Sequence, residues 1–349
     1  MTEERAIIQL FMNIMRVLVS KISIFVTEKC QASSIHTILD ILIAANHVAK
    51  AYLGLNEAPF KVQLIGIKKK VKAYNLSYID NIQPIKNDDA PDILILPGAF
   101  EAVATESEIR CCLEEYQSAY KIFNNWHKEG VLMASACTGN FLLAKTNVLA
   151  GRDITCHWAF SSIANKIFPN NVFRTNKLLI DHGDIVSAGG ATAVSQLVLY
   201  ILAREHSREL AQITAKMMLI EMNFEQQSRF AIFKPSHNHR DTIVSKLQAH
   251  LESKYAESFN LTEFSSQNAL SEKQIVRRFK SATGETPLSY LQKTRIEKVK
   301  LSLESGVVSI NKAIWNVGYE DISSFRRLFK KATGLTLQEY RSRFSMCSV

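Results

Sequence analysis

MASACTGNF, residues 133–141, decides how the first part of this chain folds. The run VLMASA (131–136) is short, apolar and turn-bounded, the pattern of a buried parallel strand, and NFLLAK reads as a helix that begins just after Gly139. Cys137 therefore falls on a tight strand-to-helix turn. Such a turn points a side chain out of the sheet, close to a helix N-terminus that favours a thiolate. It also makes a floor for a bound ligand, so at this point a nucleophile and a sensor both remain open.

Outward from that stretch the pattern alternates. KISIFV (21–26), KVQLIGI (61–67) and DILILPGAF (92–100) read as strands, while TILDILIAANHVAKAY (37–52) and a segment around 106–128 read as helices. IVSAGGATAVSQLVLYILARE repeats the theme, with a strand at 185–188, then Gly189-Gly190, then a long helix. Apolar strands alternating with amphipathic helices predict a doubly wound, mostly parallel α/β sheet, with ligands collecting at the carboxyl ends of its strands. Cys137, Gly98, Gly189 and Gly190 all fall at such ends. Paired glycines let a ligand approach main-chain N–H groups closely, although a plain tight turn explains them equally well.

The charge is unevenly shared. Residues 1–225 hold 22 Lys/Arg and 22 Asp/Glu, whereas residues 226–349 hold 20 and 11, so the formal net charge of +9 lies wholly in the last third. That asymmetry points to an acidic polymer as partner of the second part, with nucleic acid first and an anionic membrane surface second. Cysteines 30, 111, 112, 137, 156 and 347 show no CxxC pairing, which leads us to expect reduced thiols in a cytoplasmic protein. Glu3 and Glu4 open the chain, and Arg16 and Lys21 interrupt the apolar run after them. Residues 1–20 are accordingly expected to be an extension, with no secretory signal and no membrane span. Neither a metal site nor a cofactor is expected; His237 and His239 lack companion ligands and read as loop histidines.

SACTGNFLLAKTNVLAGRDITCHW (135–158) resembles the region around the reactive cysteine of the PfpI and class I glutamine-amidotransferase-like superfamily, closest to its version in GlxA-type regulators. The likeness runs over residues 21–205, within a sensing domain set at 21–222. In that pattern a histidine follows the cysteine by twenty residues, as His157 follows Cys137. The resemblance implies a flavodoxin-like fold and a pocket formed by Cys137, Thr138, His157, Trp158, Gly98, Gly189 and Gly190. A thiol nucleophile needs a base and an orienting acid. Alignment places Ser34 where the relatives' acid stands, and Glu28 lies six residues out of register. The expectation is therefore a non-catalytic sensor, for which the resemblance implies a small, nitrogen-containing metabolite, with a cysteine hydrolase or amidase as the alternative. Trp158 would offer a π surface to a cationic ligand.

NFEQQSRFAIFKPSHNHRD (223–241) reads as a linker. Beyond it the sequence repeats at an offset of fifty: SEKQIVRRFKSATGETPLSY (271–290) and DISSFRRLFKKATGLTLQEY (321–340) share eight identities in twenty positions. On a helical wheel Ile275 and Phe279 face one way, while Lys273, Arg277 and Lys280 face the other. Phe325 and Phe329 oppose Ser323, Arg327 and Lys330, with Arg326 on the flank. Ser271 and Asp321 are good N-caps, and each helix follows a shorter helical segment (261–269 and 310–317), which is the helix-turn-helix plan. A connecting helix over 287–304, burying Leu291, Ile296, Val299 and Leu303, would span about 27 Å, comparable to a DNA turn of about 34 Å.

Residues 242–343, within an all-helical C-terminal domain set at 242–349, resemble the AraC/XylS DNA-binding domain. That resemblance implies double-stranded DNA, a small-molecule effector, a second copy of the chain and RNA polymerase as partners. It also implies base-edge contacts by Lys273, Arg277, Ser323 and Arg327, phosphate contacts by Lys280, Arg326 and Lys330, and a place for Ser271 at the same surface. Asn268-Ala269 departs from the family pattern by lacking a glycine at the first turn.

Overall fold

A computed structural model describes residues 19–100, 104–146, 148–149, 151–190, 192–222, 227–306 and 308–345. Most of the expected N-terminal extension, residues 1–18, and Cys347 lie outside them. The chain divides into two compact units, Met1–Gln227 and Ser228–Val349.

In the first unit the apolar runs form the strands β1 (Ser20–Phe25), β2 (Phe60–Gly66), β6 (Ile93–Leu96), β7 (Leu132–Ala136) and β9 (Ile185–Ala188). Four shorter strands are β3 (Val71–Lys72), β4 (Tyr78–Ile79), β5 (Gln83–Pro84) and β8 (Leu179–Asp181). Seven of the nine make one sheet in the order β5-β2-β1-β6-β7-β9-β8, parallel throughout except where β8 runs against β9. The register pairs Ile24 with Leu64 on one side and with Ile95 on the other. β3 and β4 form a separate hairpin.

Both faces are covered, which is why β6 and β7 are buried at every position. Helices α1 (Ala32–Ala51), α6 (Ala193–Glu205) and α7 (Arg208–Met217) pack on one face through Ile35, Ile38, Leu42, Leu197 and Leu210. Helices α2 (Glu106–Glu115), α3 (Gln117–Lys128), α4 (Gly139–Lys145) and α5 (Ser161–Ile167) cover the other with Ile109, Phe123, Trp126, Phe141 and Ala164. The segment expected as one helix over 106–128 is two. The backbone leaves helical geometry at Tyr116 (φ −104°, ψ 20°), whose buried ring sends its hydroxyl oxygen to accept the Glu28 N–H at 2.8 Å.

Among its described residues the second unit is all helical: α8 (Thr242–Ser253), α9 (Leu261–Gln267), α10 (Glu272–Thr283), α11 (Pro287–Glu304), α12 (Ile310–Trp315), α13 (Ile322–Thr333) and α14 (Leu337–Phe344). It holds two small cores. Val244, Leu247, Ile275, Phe279 and Tyr290 build the first, and Ile314, Phe325, Phe329, Leu337 and Tyr340 the second. α11 serves both, with Leu291 in the first and Ile296, Val299 and Leu303 in the second. Of the stretch expected as a linker, residues 227–241 are described, and several of them are held by contacts. Phe233 stacks edge-on against Tyr290 at 5.2 Å, Ser236 O accepts from Gln248, and Asp241 caps α8. Phe233, Ser236 and Asp241 thus pack on the second unit, while the boundary between the units, Gln227 to Ser228, falls within the expected linker.

Candidate functional site

Cys137 stands where β7 turns into α4, at a φ of +55° that an L side chain adopts only under constraint. The constraint is visible. Cys137 N–H donates to Ala188 O at 3.0 Å, and the buried Asn140 amide donates to Cys137 O at 3.1 Å and Ala188 O at 2.8 Å while accepting from Ser135. Gly139 follows because nothing larger fits. A Cβ there would lie 2.1 Å from Leu96 O and 2.3 Å from Pro97 O. The turn is thus welded to the ends of β6 and β9, beside the crevice between β1 and β6 where the strand order reverses and ligands are expected.

The thiol itself is nearly enclosed. Burial pushes it up to about 11, and the Thr138 N–H and hydroxyl offset this only in part. The thiolate expected from the helix N-terminus is therefore not favoured, since loss of solvent outweighs the local donors. The Thr138 hydroxyl also accepts from Ala99 N–H at 2.9 Å and from Phe100 N–H at 3.4 Å, so the Ala99 donor is not free to hold an oxyanion.

His157 precedes a short 3-10 helix, Trp158–Phe160, and its Nδ1 accepts the Ala159 N–H at 3.1 Å, which leaves Nε2 to carry the proton of the neutral ring. Burial lowers its pKa. Among the described residues no hydrogen bond joins His157 to Cys137, and no carboxylate bonds to the imidazole. Ser34 is buried on α1 with its hydroxyl unpartnered, and the nearest cation to Glu28 is Lys68 at 3.8 Å. Among the described residues, no hydrogen-bonded chain links the Cys137 thiol to the His157 imidazole and a carboxylate.

The expected pocket residues are brought to one end of the sheet, with one correction. Gly190 adjoins His157, since a Cβ there would lie 3.9 Å from the imidazole Cδ2, and Trp158 is half-buried beside it with ring centroids 5.3 Å apart. Gly98 lies under Gln31, whose N–H donates to Gly98 O at 2.9 Å. Gly189, however, offers no main-chain donor to a ligand. Its N–H is spent on Leu178 O at 2.8 Å, and the space left by its missing side chain is filled by Gln227. Sequence reading missed Gln227, Asn140 and the obligation at Gly139, because each is set by contacts from distant segments. Only the unbroken CTGN run hinted at the last two.

In the second unit the repeat is reproduced in three dimensions. Phe279 meets Tyr290 at 5.2 Å and 89°, and Phe329 meets Tyr340 at 5.4 Å and 88°. Thr283 and Thr333 each donate to the main-chain oxygen four residues earlier at 2.8 Å, and Gly284 and Gly334 close the helices in left-handed geometry. Ser271 caps α10 in a capping box with Gln274, and Asp321 caps α13 through the N–H groups of Ser323 and Ser324. With Ile275, Phe279, Phe325 and Phe329 buried, α10 and α13 turn outward Lys273, Arg277, Lys280, Ser323, Arg326, Arg327 and Lys330, all exposed, and Ser271 is exposed at the start of α10.

The two helices are not equivalent. Arg278 of α10 is held by Asp241 in a two-pronged pair at 2.8 and 2.9 Å, tying α10 to α8, whereas Leu328 occupies the matching place in α13. Ala269 takes a φ of +53° in the first turn, the place where the family pattern has a glycine.

Residues 42–204 match the DJ-1/PfpI family, and residues 264–343 match a helix-turn-helix domain. The HTH-type transcriptional regulator GbdR of Pseudomonas aeruginosa is 26% identical over 217 residues, which cover 61% of this chain and 58% of that protein. The HTH-type transcriptional regulator ArgR of the same species is 26% identical over 220 residues, 62% of this chain and 65% of that one. The match thus spans less than two thirds of either relative's length. Among solved structures, DJ-1beta of Drosophila melanogaster aligns with a TM-score of 0.47 and 18% identity, over 58% of this chain and 98% of that one.

Proposed function

From a chain that carries a DJ-1/PfpI-family domain ahead of an AraC-type helix-turn-helix domain, we propose a sequence-specific transcriptional regulator that senses a small metabolite with its first domain. The observation that carries this reading is the pair of outward basic helices α10 and α13, capped, packed and closed alike fifty residues apart. Lys273, Arg277, Ser323 and Arg327 read base edges in successive major-groove segments, because Arg and Lys donate to guanine and the serine hydroxyl serves either role. Lys280, Arg326 and Lys330 hold phosphates, and Ser271 positions α10 at the backbone.

The first domain, set at 21–222, acts as a sensor rather than a catalyst. The enclosed thiol and the missing acid support this. Its effector is a small, nitrogen-containing compound held near Cys137, Thr138, His157, Trp158 and Gly190, at the switch point by Gly98. Effector binding acts on the DNA-binding domain, set at 242–349, by favouring one of two arrangements of a homodimer, and the complex then works on RNA polymerase in the cytoplasm. Selection of bound fragments from genomic DNA tests the reading. We expect enrichment of one bipartite duplex motif, and uniform recovery at moderate ionic strength would overturn it.

A further inference from the structure

A second polar constellation of the first unit surrounds Gln227, which is 2% exposed. Its Nε2 faces three acceptors: Cys156 O at 2.8 Å, Lys177 O at 3.0 Å and Thr155 Oγ1 at 3.2 Å. Its Oε1 accepts the Trp158 N–H at 3.3 Å, and its own N–H donates to Asn176 O at 3.2 Å. Donor side and acceptor side are both matched, so the cradle fits a carboxamide and opposes a carboxylate, which would set oxygen against two carbonyls. Gly189 makes the room, since a Cβ there would lie 2.2 Å from Nε2. The four residues of the 155–158 segment include His157, and Gly190, next in the chain to Gly189, adjoins the imidazole.

We propose that this cradle is a carboxamide-binding site whose resident occupant is the chain's own Gln227, and that it latches the end of the first unit to the His157–Trp158 turn of the sensing pocket. The purpose of the latch rests on the sensing reading; its geometry does not. A ligand that moves the Trp158 N–H or the Cys156 carbonyl alters the seat of Gln227. Ser228, the next residue, already belongs to the second unit. Four residues on, Ala231 O accepts from the Lys300 ammonium at 2.5 Å, and the Phe233 N–H donates to the Glu297 carboxylate at 3.1 Å.

Hydrogen exchange on the full chain tests this. Gly189→Ala evicts the amide without altering it, and Gln227→Glu keeps its size while reversing the donor side. Both are expected to speed exchange at 155–158 and 227–233 by about tenfold or more, with β7 and β9 as protected as in the parent. Gln227→Ala gives the same local rise and replaces Gly189→Ala if that protein does not fold. Unchanged exchange at these two segments overturns the latch. So does loss of protection that spreads through β7 and β9, which would make Gln227 an ordinary part of the core. Duplex binding by the parent protein, measured separately, reports on the regulator reading alone, so the two ideas fail independently.

Discussion

Cys137 looks exposed to chemistry when its neighbours in sequence are considered and closed to it when its neighbours in space are. A thiol raised to about 11 stays protonated at neutral pH, and each pH unit below that value costs a further factor of about ten in thiolate. We expect alkylation followed by mass spectrometry to label exposed Cys111 well before Cys137 at pH 7.5, with Cys137 labelling rising steeply only towards pH 11. Rapid labelling of Cys137 at neutral pH would restore the hydrolase. Gly139 makes a second prediction at this scale. Adding one methyl group against two carbonyl oxygens should destabilise Gly139→Ala by about 3 kcal/mol or more, read from the midpoint of denaturant unfolding. The cysteine, its histidine and the basic side chains were legible in the sequence, because motif spacing and helical period are local signals. The sealing of the thiol and the crowding at Gly139 were not, since both depend on what β6 and β9 bring from outside the motif.

At the scale of elements, long strands and capped helices were readable because their apolar period runs over several residues and their ends carry Ser, Thr, Asp or Gly. β3, β4 and β5 are two residues long, too short for any period, and the break at Tyr116 is fixed by a tertiary contact with Glu28. The two basic helices should divide by role. Arg277→Ala is expected to cost about 1–3 kcal/mol on the preferred duplex and to relax its sequence preference, whereas Lys330→Ala should weaken all duplexes alike and reduce the salt slope by about 1. Titrations at several salt concentrations separate these outcomes.

A further element-level test concerns the tie between α3 and the β8–β9 turn. Burial alone would raise the Asp184 carboxyl, but the Arg152 guanidinium at 2.5 Å and His127 at 2.6 Å hold it down at about 2. A depressed carboxylate stabilises the fold above the unfolded value near 4, and that contribution is lost as pH falls through about 2. Asp184 is 42% exposed, so Asp184→Asn should cost only about 1 kcal/mol at pH 7 and nothing below pH 2 in urea unfolding.

For the whole molecule, the division of charge matches the division of structure: the compact unit beginning at Ser228 carries the basic excess. The boundary between the two units, Gln227 to Ser228, falls within the stretch expected as a linker. Composition did not show that within this stretch Phe233 and Asp241 meet Tyr290 and Arg278, partners tens of residues away.

α11 threads the hydrophobic centres of both helix-turn-helix modules, so neither can swivel without dragging the other's aromatic pair. The consequence falls on the nucleic acid. Inserting one base pair between the two contacted segments rotates the distal one by about 34° around the duplex axis, and a stiff strut cannot follow that phase change. Affinity for such lengthened sites should collapse towards that of a single contacted segment and recover only when a full helical repeat has been added to a molecule bent enough to meet it.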